Sequence, residues 1–158
     1  MKLKSLILFI CCLIVTNAAA QTGKLFNTDR QLSSSLINYI YQDRNGYVWI
    51  CTHNGLSVYD GYQFYTFNKE DKVSGLAGNM VNCIEQGNGE ELYVGESDAL
   101  QVFRNDVFKT IDTRDLSNHK IVCYVNCICP TRRGDILVGT SGHGILKMHG
   151  GQTARQMA

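Results

Sequence analysis

Aromatic and β-branched residues recur along this chain in short runs, and between the runs stand polar stretches rich in Gly, Asn and Asp. Beyond residue 20 no segment carries the three-to-four-residue apolar spacing of an amphipathic helix. Residues 45–67 show the pattern most fully. They predict strands at 47–52, 56–59 and 62–67, parted by Asn54-Gly55 and Asp60-Gly61, dipeptides suited to tight hairpin turns. The pattern then returns 44 residues on, where Trp49, Ile50, Leu56, Val58 and Tyr59 map without a gap onto Tyr93, Val94, Leu100, Val102 and Phe103. This is a repeat protein.

The first strand of each repeat carries an apolar-Asn-X-apolar tetrad: Ile37-Asn38-Tyr39-Ile40, Val81-Asn82-Cys83-Ile84 and Val125-Asn126-Cys127-Ile128. A polar, Gly-containing turn follows each, and then second strands at 48–50, 92–94 and 136–138. Gly95 and Gly139 come next in two repeats, where the first has Cys51; a Gly inside a strand marks close backbone approach. Third strands are predicted at 56–59, 100–103 and 145–148, and fourth strands at 63–67 and 107–111. The third repeat shows no fourth strand, because residues 152–158 lose the branched and aromatic pattern. The single proline, Pro130, ends a first strand, where its missing donor is tolerated.

Four short antiparallel strands per 40–45 residues define a β-propeller blade. A β-sandwich has similar strands but not so regular a period. The expected fold is therefore all-β, a partial β-propeller of about three four-stranded antiparallel blades that does not close. A signal peptide is expected at 1–20 and propeller repeats at 21–158, with copies at about 32–67, 76–111 and 116–150.

That leader has three parts: Lys2 and Lys4, an apolar run at 6–15, and Asn17-Ala18-Ala19-Ala20 before Gln21. The run is too short to span a bilayer, so cleavage after Ala20 and export to the periplasm are expected. Without the leader's lysines the charge balance is 13 basic against 14 acidic residues, with no basic cluster to displace counterions from a nucleic acid. Nor is any later segment apolar for long enough to cross a membrane.

Export leaves Cys51, Cys83, Cys123, Cys127 and Cys129 in an oxidising compartment. Five is an odd number, so one thiol at least stays free or pairs between chains. Cys83 and Cys127 hold the same place in successive repeats, as Tyr39 does in the first, which reads as packing. Cys123, Cys127 and Cys129 would share one face of a strand, but CxxC pairs and supporting His spacing are lacking, and no metal is assigned.

The run from Gln42 to Gly61 resembles the two-component regulator propeller repeat, which reads roughly Asp, X, X, Gly, X, apolar, Trp, apolar, Gly, Thr, X, X, Gly, Leu, with Tyr-Asp soon after. Asp43, Gly46, Trp49, Thr52, Gly55, Leu56, Tyr59 and Asp60 carry the match, and Cys51 departs from it. The second copy keeps Gly95 and Leu100 but has Tyr93 for Trp and Glu96 for Thr; the third keeps Gly139, Thr140 and Gly144. In that family such repeats build the periplasmic sensor region of hybrid two-component regulators that respond to oligosaccharides. The resemblance implies an extracytoplasmic sensing fragment, binding an oligosaccharide or other small ligand in its full-length parent, with no kinase, receiver or DNA-binding region of its own and no cofactor. Three blades leave open edges through which copies could associate.

The alternative is a stand-alone secreted propeller that binds a ligand or acts as a lyase. For the lyase reading, His53 and His143 fall in equivalent turns and His143 and His149 are close in sequence. No carboxylate recurs beside them, nor does a nucleophile elbow or phosphate loop appear, so catalytic residues are not assigned. For sugar binding, most rings among Tyr41, Tyr47, Trp49, Tyr59, Tyr62, Phe64 and Tyr65 are expected to fill the space between blades. Tyr47 and Tyr62, near turns, remain as the exposed candidates, and the ligand-binding residues are otherwise unknown.

Overall fold

A computed structural model describes residues 25–26, 32–73, 75–150 and 153–157. The leader lies outside the described residues. Among those described there are thirteen strands in three sheets, and no helix is long and apolar enough to cross a membrane. The first blade is a meander of β1 (Ile37–Gln42), β2 (Val48–Thr52), β3 (Gly55–Tyr59) and β4 (Phe64–Phe67). The second repeats it with β5 (Val81–Gln86), β6 (Leu92–Glu96), β7 (Leu100–Arg104) and β8 (Val107–Thr110). The predicted strands fall on these elements within a few residues.

The third sheet is where expectation and structure part. It contains β10 (Tyr124–Pro130), β11 (Asp135–Ser141) and β12 (Ile145–His149), and then a fourth strand, β13 (Thr153–Gln156), which the sequence pattern does not announce. A fifth, β9 (Asp112–Arg114), comes from the link after β8 and pairs parallel to β13, Ala154 opposite Thr113. Neighbours on both sides supply β13 with a backbone ladder, and Ala154 is fully buried in the core. Pairing and burial here override weak intrinsic propensity.

The Asn of each tetrad has a structural reason. In all three blades the pairing of first and second strands slips at that residue, between Ile37 and Tyr39, Val81 and Cys83, and Val125 and Cys127. The extra residue of such a bulge is left out of the ladder, and its side chain is re-aimed. Asn38 Nδ2 donates to Val81 O at 2.8 Å, and Asn82 Nδ2 to Val125 O at 2.9 Å, so each Asn bonds to the next blade. Asn126 bonds Ser141 Oγ within its own blade.

The core lies between blades. Trp49, Cys51, Leu56 and Val58 of the first blade pack on Val81, Ile84, Leu92, Val94 and Phe108 of the second. Strand alternation sends Cys83, Tyr93 and Leu100 the other way, against Val125, Ile128, Ile136, Val138 and Leu146 of the third. The middle blade is thus covered on both faces, and all five residues of β6 are buried. Each fully buried Leu of this set contributes roughly 1.5–3 kcal/mol. The outer blades are covered on one face only: β11 alternates buried and partly exposed residues, while Ile37 and Ile40 of β1 are exposed. The arc of blades does not close.

Close approach explains Gly95 and Gly139. A Cβ on Gly95 would stand 2.7 Å from Cys83 Sγ and 2.4 Å from Val125 Cγ1; one on Gly139 would stand 2.6 Å from Cys127 Sγ. All five described cysteines are free. Cys123, Cys127 and Cys129 do not share a face, contrary to the reading of one straight strand. Cys123 precedes β10 and is buried, whereas the bulge leaves Cys127 and Cys129 exposed. Burial pushes the Cys83 thiol up to about 12 and raises those of Cys51 and Cys123, so these three are poor nucleophiles.

Candidate functional site: an aromatic cleft between the first two blades

The turn from β1 to β2 is built around Asp43. Its Oδ1 accepts from the backbone N–H groups of Asn45 and Tyr47, at 2.9 and 3.0 Å, and its Oδ2 accepts from Trp49 Nε1 at 2.8 Å. One buried carboxylate therefore closes the turn and fixes the indole, which is why Asp and Trp stand six residues apart in this stretch. Arg44, beside it, donates to Gly87 O, Asn88 O and Gly89 O of the second blade's corresponding turn. That clamp sets the two blades side by side.

Beside this clamp opens a cleft of about 600 Å³, within the size range of small-ligand sites. Its floor is aromatic. The Trp49 ring lies 6.3 Å from Phe67, nearly parallel at 15°, and 5.4 Å from Phe103 in an edge-to-face contact. Tyr47 and Tyr65 also line it, and are 43% and 48% exposed. Gln63 donates to the Tyr65 hydroxyl and restrains that ring. The rim is polar: Asn45, Glu90, Arg104, Asn105 and Asp106. Asn105 and Asp106 both adopt positive φ, 51° and 61°, as the central residues of a tight turn of the mirror-image type, and this places their side chains at the mouth. Arg104 is paired with Glu91 at 3.2 Å.

A smaller cleft of about 380 Å³ occupies the corresponding place beyond the second blade, lined by Tyr93, Val102, Glu91 and Lys109 among others. Burial, and then the Glu91 carboxylate, raise the Tyr93 hydroxyl above its ordinary range. Its lining holds one ring where the first cleft has five, so only the first offers an extended aromatic surface.

Of the two ring candidates from the sequence, Tyr47 lines the cleft, whereas Tyr62 stands outside it at 92% exposure. Tyr65, read as interior packing, turns out half exposed and in the cleft. Phe103, Arg104, Asn105, Asp106 and Glu90 were not singled out; they come from the second blade, and only the 44-residue register hints that they meet the first blade's turn. Among the histidines, His53 and His143 occupy turns of the first and third blades, with a whole blade between them. His143 precedes β12 and His149 ends it, with Nδ1 2.8 Å from Asp135 Oδ1, so strand length separates that pair.

Repeated four-stranded antiparallel sheets, stacked face to face with the first strand of each against the next, define a partial β-propeller. Residues 31–54, the stretch that holds the Asp43 turn and Trp49, match the two-component regulator propeller family. Solved structures agree in fold. The chain superposes on the extracellular domain of the one-component system BT4673 of B. thetaiotaomicron with a TM-score of 0.65 at 14% identity, covering 78% of this chain and 18% of that one. A second structure of BT4673, described as a hybrid two-component system, gives 0.66 at 13% identity, covering 84% and 21%. The extracellular domain of the hybrid two-component system BT3049 of the same organism gives 0.59 at 19% identity, covering 72% and 16%. The chain thus spans about a fifth of the length of the solved structures it matches. No curated protein matches it.

Proposed function

We propose that the chain is an extracytoplasmic ligand-sensing segment of a two-component type regulator, and that the cleft between its first two blades receives a sugar ring of an oligosaccharide. The observation that carries this reading is the cleft itself: half-exposed Tyr47 and Tyr65 over an aromatic floor, with amide, carboxylate and guanidinium groups at the mouth. A pyranose presents an apolar face to a ring and a circle of hydroxyls to such a rim. The match of residues 31–54 and the shared fold support the regulatory context, and the leader at 1–20 supports export. The alternative, a secreted lyase, draws no support from the placement of the histidines.

Trp49 is the one tryptophan of the chain and lies in the cleft floor, so its fluorescence reports occupancy directly. Titration with neutral oligosaccharides is expected to shift Trp49 emission, and Tyr65→Ala is expected to weaken that binding at least tenfold, as loss of about 1.4 kcal/mol of ring contact would do. Binding that is unchanged in Tyr65→Ala and Tyr47→Ala sinks the assignment of the cleft. Export is checked separately, by the mass of the N-terminus in the periplasmic fraction.

A further inference from the structure

The second blade departs from the first at four positions that meet in one place. Where the first blade has Ser33, Ser34, Thr52 and Asn54, the second has Ala77, Gly78, Glu96 and Asp98, each 44 residues on. In the first blade the neutral groups satisfy one another. Ser33 Oγ and Thr52 Oγ1 share a hydrogen bond of 2.9 Å, Thr52 Oγ1 donates to Gly55 O, and Asn54 accounts for two more bonds, to Thr52 Oγ1 and Ser33 O. In the second blade two carboxylates stand in the place of the hydroxyl and the amide, and the link beneath them is reduced to Ala-Gly.

Glu96 is fully buried, and its two oxygens are the buried side-chain polar atoms without a hydrogen-bond partner among the described residues. The carboxylate points at the link. Glu96 Oε2 lies 2.9 Å, and Asp98 Oδ1 3.1 Å, from the point where a Cβ on Gly78 would stand. Oxygens from two side chains thus converge on the backbone at Gly78, where any larger residue would crowd them. Asp98 itself is exposed to solvent. A buried carboxylate without a full set of donors is costly unless a counter-charge or a proton neutralises it. Burial pushes the Glu96 carboxyl up to about 8; the Gly78 amide and Lys69 act against this and Asp98 adds to it. Lys69 forms no ion pair with either carboxylate among the described residues.

We propose that Glu96 and Asp98 hold a hard divalent cation, of the calcium type, between the link at 76–80 and the turn from β6 to β7. Oxygen ligands and negative charge select such an ion, and water completes its shell. The ion ties the segment that joins the first two blades to the second blade, where the first blade uses hydroxyl bonds. With two carboxylates the affinity falls in the range of extracellular modules, on the order of 10⁻⁴–10⁻³ M. Sequence spacing does not point here, because Glu96 and Asp98 read as an ordinary polar turn.

The test is thermal unfolding of the purified chain at neutral pH in ~10 mM calcium chloride, against a chelator and against sodium chloride of matched ionic strength. Calcium is expected to raise the midpoint by about 3–10 °C. Asp98→Asn, at an exposed position, should lose most of that gain, and Glu96→Thr, which restores the first blade's residue, all of it. Calorimetric titration of the same proteins with calcium reads the binding itself. Failure of calcium to shift the wild-type midpoint, a shift that sodium chloride reproduces, or a shift of the same size in Asp98→Asn overturns the proposal.

Discussion

The first two blades share one register and fill it differently. At the β1–β2 turn the first blade pairs Asp43 with Trp49, and the second has Gly87 with Tyr93. Tyr93 has no indole N–H to offer a carboxylate, and its Cε2 lies 2.8 Å from where a Cβ on Gly87 would stand. Along the same strand pair, Cys51 is accommodated opposite Tyr39, whose ring reaches to the second blade and donates its hydroxyl to Glu85 Oε1 at 2.9 Å. Gly95, opposite Cys83, has no such room. The comparison teaches that residues of a blade change in sets: a partner that alters its size or its hydrogen-bonding capacity alters what its neighbour can be.

Breaking the Asp43–Trp49 set should have the largest effect. Trp49→Ala leaves a cavity and strips Asp43 Oδ2 of its donor, and is expected to cost about 3–5 kcal/mol, measured by urea unfolding. In the second blade, Gly87→Asp alone should destabilise, and Tyr93→Trp added to it should recover most of the loss. Strict additivity of the two changes would break the idea of linked sets.

A smaller effect sharpens the contrast between joined and open blade faces. Asn38→Ala and Asn82→Ala each remove a bond to the next blade and should cost about 1 kcal/mol apiece. Asn126→Ala, whose amide bonds only within its own blade, should stay within about 0.5 kcal/mol of wild type. Equal losses at all three sites would show that the Asn serves its own bulge rather than the junction.

The smallest effect concerns the third blade. Hydrogen bonds from Lys147 and His149 hold the Asp135 carboxyl below the usual carboxylate range. A depressed folded-state value stabilises above the unfolded carboxylate pKa of about 4, and that contribution disappears as pH falls through the folded value. Wild-type protein should therefore lose slightly more stability than Asp135→Asn on acidification below about pH 4, in parallel denaturant titrations. A steeper acid loss in the variant would contradict this pairing.

Much of this arrangement was legible in the chain. Period-2 alternation and Gly-Asn-Asp turns locate eleven of the thirteen strands, and the 44-residue interval gives the blade. The two missed strands, β9 and β13, are short, with one branched residue each, Thr113 and Thr153, and no aromatic; they exist because each supplies the other's backbone partner across more than forty residues of chain. The candidate cleft was half visible. Tyr47 was picked out by its place beside a turn, but Tyr65, Phe103 and the turn at Asn105 and Asp106 join it only once two blades are stacked.

Sequence by itself determined the local conformation: which residues form strands, where the chain turns, and how often the unit repeats, because these depend on neighbours a few positions away. The tertiary structure alone decided which faces are buried, where each bulged Asn finds its acceptor, and that Glu96 and Asp98 converge on Gly78. Those contacts lie between segments 18 to 43 residues apart, and the short-range forces that pattern a strand carry no information about what will be packed against it.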